Sequence, residues 1–185
     1  MALEFPPQAE QKIADICRHY PNTQAACLPV LHVAQDVFGR VSPEVINLVA
    51  GRLKLPAAHV YGVATFYTMY HQEPCGRRVL LMCTNISCML TGGNETLAKL
   101  ENSLGIKAGE NTPDGEFTLI EEECLAACAD GPAMICGEKY FLRLTADKVD
   151  AALAECRKLP AQYPYQHPDP RAGQADPHPH TDKKH

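Results

Sequence analysis

The sequence contains no tryptophan, and only 6% of its residues are aromatic. Basic residues are also scarce, because 17 Lys and Arg stand against 22 Asp and Glu, for a formal net charge of −5. A chain without an excess of basic residues offers no positively charged surface for the phosphate backbone, so we expect no nucleic-acid partner. No apolar run approaches the roughly 18 residues that a membrane-spanning helix needs. We therefore also expect no direct membrane insertion.

Two further absences concern processing and redox chemistry. Residues 1–11 carry neither the positive start nor the apolar stretch of a secretory signal, which predicts an intracellular protein. In a reducing compartment disulfides are rare, and the nine cysteines are an odd number, so a disulfide framework is not expected. No C-x-x-C motif occurs, which excludes a thioredoxin-style redox dithiol. Metal binding remains the best explanation for so many cysteines.

Four of the cysteines form two closely spaced pairs. Cys83 and Cys88 enclose the sequence T-N-I-S, and Cys124 and Cys128 enclose L-A-A. Each pair follows a run of residues typical of a strand, so each should lie in a loop just beyond a strand end. Four thiolates that converge from two such loops would make a cage for zinc or for a redox metal.

The spacing alone leaves three interpretations of these pairs open. Structural zinc prefers tight C-x₂-C knuckles, although wider spacings occur, whereas a [2Fe–2S] cluster takes two thiolates on each iron and suits wider, unequal loops. The order C-x₄-C…C-x₃-C differs from the C-x₄-C-x₂-C…C run of plant-type ferredoxins and excludes that fold. The spacing favours [2Fe–2S], with zinc and unrelated core cysteines as alternatives.

The first part of the chain has helical periodicity. Apolar residues recur at helical spacing in four segments, which cover residues 8–20, 24–38, 42–53 and 56–63. The third segment opens with Ser42 as N-cap and Pro43 at the first helical position. Residues 1–75 should therefore form an N-terminal helical subdomain and linker. The aromatic stretch 60–70 begins helical and continues with strand-like residues. It is either a buried connector packed against the second domain or part of a subunit interface.

From residue 76 the pattern changes to mixed α and β. The predicted order is β-α-β-β-β-α, with helices over 93–104 and after Thr145, and strands over 78–83, 117–123, 133–136 and 140–144. This predicts an α+β fold, in which an N-terminal helical bundle is followed by a thioredoxin-like mixed sheet of about four strands with two helices. The second domain should span residues 76–159. Residues 160–185 hold six prolines and four histidines and predict a disordered tail.

Two further motifs join the four cysteines in a resemblance. They are Pro-Val-Leu-His-Val-Ala-Gln at 29–35 and Val-Tyr-Gly-Val-Ala-Thr-Phe-Tyr at 60–67. From about residue 8 to 159 the chain resembles the E-subunit family of bacterial NADH:quinone oxidoreductase, the thioredoxin-like [2Fe–2S] ferredoxins of respiratory complex I. The resemblance implies that Cys83, Cys88, Cys124 and Cys128 ligate one [2Fe–2S] cluster.

The resemblance also implies partners and a place in the cell. The family docks on the flavin subunit that oxidises NADH, so FMN and NADH belong to that partner, and other peripheral-arm subunits surround it. No G-x-G-x-x-G follows a predicted strand here. We therefore expect an electron-transfer subunit of a proton-translocating NADH dehydrogenase, without a complete active site of its own. We expect it in the cytoplasm, held at the inner face of the cell membrane by the complex. Two alternatives remain. The first is the equivalent subunit of an NAD(P)-linked hydrogenase or formate dehydrogenase, and the second is a zinc-stabilised interaction domain.

Several residues near the cysteines carry narrower predictions. Thr84 and Ser87 lie inside the first pair and are candidate hydrogen-bond donors to cluster sulfurs, which would raise the reduction potential. The three glutamates at 121–123 directly precede Cys124 and should lower that potential. Pro132 stands where thioredoxin-like folds often place a proline beside the redox centre, and the sequence leaves its cis or trans state open.

Overall fold

Four helices form the first part of the structure, a computed structural model that describes residues 3–162. They are α1 (Pro7–His19), α2 (Cys27–Phe38), α3 (Pro43–Leu53) and α4 (Ala57–Phe66). The predicted cap of α3 is confirmed, because the Ser42 hydroxyl accepts the N–H of Val45 at 3.4 Å. No helix among residues 3–162 is long and apolar enough to cross a membrane. The predicted disordered tail, residues 160–185, lies outside the described residues from residue 163 onward, and all its histidines are among these.

Two helix boundaries differ from the expectation. Helix α2 begins at Cys27 rather than Gln24, because the Asn22 side chain accepts the N–H of Ala25 at 2.8 Å and holds the preceding residues in a turn. Helix α4 continues to Phe66, through residues that had strand-like character. The β-branched Thr65 is accommodated there because its hydroxyl donates to the carbonyl oxygen of Tyr61 one turn earlier, at 3.0 Å.

The helices pack around a core of their own. Its fully buried members come from every helix and from the turn before α3, and they include Ile13, Val30, Leu31, Val41, Val49, Leu53 and Val60. Each such side chain contributes about 1.5–3 kcal/mol of transfer free energy. The connector after α4 is fixed to this core, since the buried Tyr70 donates its hydroxyl to Leu28 O at 2.8 Å. The predicted connector was expected to pack on the second domain, whereas Tyr70 packs into the helical core.

The second half contains one mixed sheet. Its strands are β1 (Arg78–Cys83), β2 (Phe117–Glu122), β3 (Met134–Cys136) and β4 (Lys139–Phe141), in the order β2-β1-β3-β4. Strands β1 and β2 are parallel, and the other two pairings are antiparallel. The helices are α5 (Ile86–Leu90), α6 (Gly93–Leu104) and α7 (Val149–Cys156). The predicted α+β class and its four strands are confirmed, whereas α5 was not predicted.

Strand β4 is shorter than predicted, and the reason lies in Arg143. This residue has a left-handed backbone, with φ 49°, which ends the regular ladder after Phe141. The N–H of Arg143 then donates to Asp130 O at 2.8 Å, and that of Leu144 to Pro132 O at 2.9 Å. The chain beyond β4 thus leaves the hairpin and bonds the segment that follows the second cysteine pair.

The sheet and two helices enclose a second core. Its fully buried side chains include Leu80, Met82, Leu100, Phe117, Leu119 and Met134. Cys136 and Cys156 belong to this core and Cys27 to the first, as small buried residues rather than ligands. Burial raises the pKa of the Cys27 thiol, and it raises the pKa of Cys75 to about 11, so both are protonated at neutral pH. All four thiols lie away from the two cysteine pairs.

The chain beyond α7 returns to the amino end of β1. The buried Arg78 pairs its guanidinium with Glu116, and its Nε donates to Leu159 O at 3.0 Å. The N–H of Gln162 donates to Arg77 O at 2.8 Å, while its side-chain oxygen accepts the N–H of Val79 at 2.7 Å. Residues up to Gln162 are thus fixed along β1. The boundary at 159 stays a prediction.

Replacing Gly76 with alanine should destabilise the fold strongly. An alanine Cβ there would lie 2.6 Å from the carbonyl carbon of Phe117 and 2.9 Å from its nitrogen, both of them backbone atoms of β2. We expect a loss of about 1–3 kcal/mol in the free energy of unfolding, measured by urea denaturation, because β1 and β2 would have to separate. Gly51→Ala is the matched control, since nothing lies within 4 Å of its Cβ position. That helical substitution should add about 0.5–1 kcal/mol. Equal effects of the two variants would contradict this role of Gly76.

Candidate metal centre

The two cysteine pairs meet at one edge of the sheet. Cys83 is the last residue of β1, opposite Glu122 at the end of β2. Because β1 and β2 are parallel, the loops that follow them start side by side. Cys88 lies in α5, directly after β1, and Cys128 opens a short 3₁₀ helix that runs to Asp130. The predicted position at the strand ends is confirmed, but Cys83 still belongs to β1 and Cys88 to a helix rather than to a loop.

Distances and mutual electrostatics join the four thiols into one group. The sulfurs of Cys124 and Cys128 are 3.9 Å apart. Two thiolates on one tetrahedral metal, at about 2.3 Å each, would be about 3.8 Å apart. Burial raises the pKa of Cys88, and the neighbouring thiol of Cys83 raises it further. Cys124 raises the pKa of Cys128, with a smaller contribution from Cys83 in the same direction. The site therefore holds protons until a cation takes up the negative charge.

The thiols are arranged in pairs rather than as a set around one point. Among residues 3–162, no three His, Cys, Asp or Glu side chains are close enough to hold a single metal ion. A binuclear cluster needs two thiolates on each iron, and the sulfurs of Cys124 and Cys128, 3.9 Å apart, are spaced for one iron. The four cysteines are thus a suitable donor set for a [2Fe–2S] cluster.

The two pairs differ in burial. Cys83 and Cys88 are 3% and 2% exposed and pack with Leu125 and Ala133 in a small apolar cluster of their own. Cys124 and Cys128 are exposed. The first pair is therefore fixed by packing, whereas the second depends on the hydrogen bonds of its loop. Only the second pair is open to solvent or to a partner.

Hydrogen bonds to the sulfurs come from three donors. The N–H of Ala126 donates to Cys124 Sγ at 3.3 Å, and the N–H of Ala133 donates to Cys88. The Ser87 hydroxyl bonds Cys128 and lowers its pKa, against the larger opposing effect of Cys124. The prediction that Ser87 donates to a cluster sulfur stays a prediction. For Thr84 it is wrong, because that hydroxyl donates to Glu121 Oε1 at 2.6 Å instead.

Two glycines allow the backbone to approach Cys88 closely. A Cβ at Gly131 would lie 3.2 Å from Cys88 Sγ, and one at Gly93 would lie 2.8 Å from Cys88 O. No sequence signal marks either role, since Gly93 is also an ordinary helix start and Gly131 precedes a proline. The peptide bond between Gly131 and Pro132 is cis.

An exposed apolar surface adjoins the cysteines. Ile86 and Leu90 of α5 are 65% and 76% exposed, and Met89 between them is half-exposed. We call these three residues the α5 patch. A second exposed group lies at the end of α4 and comprises Tyr61, Phe66, Tyr67 and Met69. Contiguous apolar surface of this kind marks interaction sites. The interface interpretation of 60–70 stays a prediction.

The three glutamates before Cys124 stand at the edge of the site. Glu121 and Glu123 are exposed, and Glu122 is half-buried at the end of β2. A carboxylate about 10 Å from the cluster, at an effective dielectric constant of about 20, repels an added electron and so lowers the reduction potential. Because the carboxylates are exposed to solvent, the lowering is reduced to a few tens of millivolts.

The triple variant with glutamine at 121–123 should therefore have a midpoint potential a few tens of millivolts higher. The measurement is a redox titration of the reduced cluster followed by EPR. Glu138→Gln is the control, because this exposed residue lies in the β3–β4 turn, at the opposite end of the sheet. An unchanged potential in the triple variant would leave the glutamates without a role in tuning.

The chain resembles a known family over most of its length. The family model of the thioredoxin-like [2Fe–2S] ferredoxins matches residues 13–157. The chain is 43% identical over 147 residues to the E 2 subunit of NADH-quinone oxidoreductase from Rhizobium meliloti (strain 1021), covering 80% of this chain and 88% of the relative. It is 32% identical over 151 residues to the HndA subunit of the NADP-reducing hydrogenase from Solidesulfovibrio fructosivorans, covering 82% and 88%.

A solved structure supports the fold alone. The NAD⁺-reducing [NiFe]-hydrogenase in its air-oxidised state superposes with a TM-score of 0.62 at 20% identity, over 71% of this chain. The chain spans 22% of that hydrogenase chain. The family match confirms the predicted thioredoxin-like fold and the predicted [2Fe–2S] cofactor. On this match, which covers most of its length, the protein belongs to the thioredoxin-like [2Fe–2S] ferredoxin family.

Proposed function

We propose that the protein is the electron-transfer subunit of an NADH:quinone oxidoreductase, with one [2Fe–2S] cluster on Cys83, Cys88, Cys124 and Cys128. The observation that carries the proposal is the meeting of two thiol pairs at the carboxyl edge of β1 and β2, with the Cys124 and Cys128 sulfurs 3.9 Å apart. Relatives above 30% identity that carry the name of the NADH-quinone oxidoreductase E subunit support the choice of complex.

The residues around the thiols have separable roles in this proposal. The cluster supplies the one-electron chemistry. The buried Cys83 and Cys88 keep water from one side of the site. The amides of Ala126 and Ala133 and the hydroxyl of Ser87 stabilise negative charge on the thiolates, which favours both binding and reduction.

The partner in this proposal is the flavin subunit that binds FMN and NADH. Electron exchange requires the partner's flavin to come close to the cluster, and the exposed side of the site consists of Cys124 and Cys128. The α5 patch flanks Cys88, with Ile86 before it and Met89 and Leu90 directly after it, and offers the apolar contact for a protein interface. Docked there, the flavin subunit would cover the patch and the exposed thiolates together. Further peripheral-arm subunits would hold the protein at the inner face of the cell membrane.

A second candidate is the equivalent subunit of a pyridine-nucleotide-linked hydrogenase. The specific observation in its favour is 32% identity to the NADP-reducing hydrogenase subunit. Purification of the native complex by a tag on this chain separates the two. Co-purifying quinone-reducing and membrane subunits support the first candidate, whereas a hydrogenase subunit supports the second.

Metal and sulfide analysis of the purified protein tests the cluster itself. We expect iron and acid-labile sulfide in equal amounts, two of each per chain for a [2Fe–2S] cluster, and a red-brown colour that dithionite bleaches. The reduced protein should give the EPR signal of one unpaired electron. A colourless protein that holds one zinc ion per chain would refute the proposal.

A further inference from the structure

The loop that carries the exposed cysteine pair is anchored by the segment around and after β4. The Tyr140 hydroxyl donates to the carbonyl oxygen of Leu125, the residue after Cys124, at 3.3 Å. The Arg143 guanidinium donates to Asp130 Oδ1 from Nε at 2.9 Å and from Nη2 at 2.6 Å. The N–H of Arg143 donates to Asp130 O at 2.8 Å. The beginning and the end of the loop are thus both fixed from one side.

Arg143 makes these contacts from a strained backbone. Its φ of 49° lies in the left-handed region, which a residue other than glycine adopts where its surroundings determine it. Its own carbonyl oxygen accepts from Lys148 Nζ at 3.1 Å and from the N–H of Thr145 at 3.1 Å. After this bend, both the side chain and the N–H of Arg143 donate to Asp130.

The ion pair contributes little to the fold as such. The Arg143 side chain is 74% exposed, and pairs of this exposure add little to the free energy of unfolding. What the pair does fix is the position of Asp130, the last residue of the 3₁₀ helix that begins with Cys128. Contacts that orient the ligands of a metal site affect metal affinity more than they affect folding.

We propose that Arg143 and Tyr140 are positioning residues that hold Cys124 and Cys128 in the geometry that binds the cluster. Arg143 acts on Cys128 through Asp130, and Tyr140 acts on Cys124 through Leu125. The buried pair needs no such support, because it is fixed by packing. Loss of the cluster therefore begins at the exposed pair. This inference rests on the ligand set proposed above.

The test compares the rate of cluster loss in variants of the full chain. With an iron chelator in excess, visible absorption should decay roughly ten-fold faster in Arg143→Gln than in the wild type. Arg143→Lys should be intermediate, since its ammonium can still donate to Asp130. Tyr140→Phe, which removes only the hydroxyl, should also decay faster. Lys139→Gln is the matched control and should decay at the wild-type rate, because Lys139 pairs with Glu155 and not with the loop.

Two further measurements decide how the result is understood. The thermal unfolding midpoint of the cluster-free protein should be the same in Arg143→Gln and the wild type, and the EPR line shape of the reduced cluster should change. A wild-type decay rate in both Arg143→Gln and Tyr140→Phe would overturn the inference, as would an equal acceleration in Lys139→Gln. Cys128→Ala separates it from the proposed ligand set. If Cys128→Ala keeps its full cluster, the proposed ligand set is wrong. If Cys128→Ala loses the cluster while Arg143→Gln loses it at the wild-type rate, the ligand set stands and only the positioning role is refuted.

Discussion

Cys88→Ala is expected to abolish the visible absorption and the reduced EPR signal of the protein. Cys88 is 2% exposed and lies with Cys83 in one small apolar cluster, so no thiol outside the group is placed to substitute for it. The five other cysteines lie in or against the two main cores or at the amino end of β1. An iron bound by a single remaining thiolate of its pair should be lost. The measurement is iron content together with EPR after anaerobic reconstitution.

Cys17→Ala is the control for this experiment, since Cys17 is half-buried against the helical core. It should keep full iron and an unchanged spectrum. Circular dichroism of the cluster-free proteins should show the same helix content for both variants, because each change removes one sulfur atom. Full iron content with an unchanged EPR spectrum in Cys88→Ala would show that this residue is not a ligand.

The double variant Ile86→Glu with Leu90→Glu is expected to bind the flavin subunit at least about 100-fold more weakly. Two carboxylates would be buried in an apolar contact without partners, and an unpaired buried charge costs several kcal/mol. Both side chains are largely exposed in the free protein, so folding and the cluster spectrum should be unchanged. Titration of the purified flavin subunit, followed by calorimetry or by analytical gel filtration, measures the affinity.

A control with the same added charge separates the patch from a general electrostatic effect. Leu3→Glu with Tyr20→Glu places two carboxylates on exposed positions at the two ends of the α1 region. This variant should bind the flavin subunit as the wild type does. If the α5 double variant also binds normally, the partner docks elsewhere, and the exposed group at the end of α4 becomes the next surface to test.

The sequence by itself determined the helices of the first half, the two parallel strands and the location of both cysteine pairs. These features follow from local signals. Helical periodicity marks α1 and α3, an N-cap serine and a proline open α3, and apolar runs mark β1 and β2. Once the two strands are parallel neighbours, the loops after them must adjoin. The convergence of Cys83 with Cys124 and Cys128 was therefore predictable from the order of residues alone.

Short elements and the directions of side chains were not predictable in this way. Helix α5 has five residues, too few for a periodic pattern, so its exposed Ile86 and Leu90 carried no signal. Thr84 and Ser87 are equally good donors in sequence, and only the tertiary structure places Glu121 of the neighbouring strand beside Thr84. A hydroxyl takes the acceptor that the fold places beside it.

Only the tertiary structure decided that the two cysteine pairs are unequal. Nothing in the spacing distinguishes a pair packed with Leu125 and Ala133 from a pair held by hydrogen bonds. The difference arises from contacts distant in sequence, among them the bond of Arg143 to Asp130 and the left-handed bend that makes it possible. Such a bend at an arginine opposes its local preference, so it exists only because the surrounding fold imposes it.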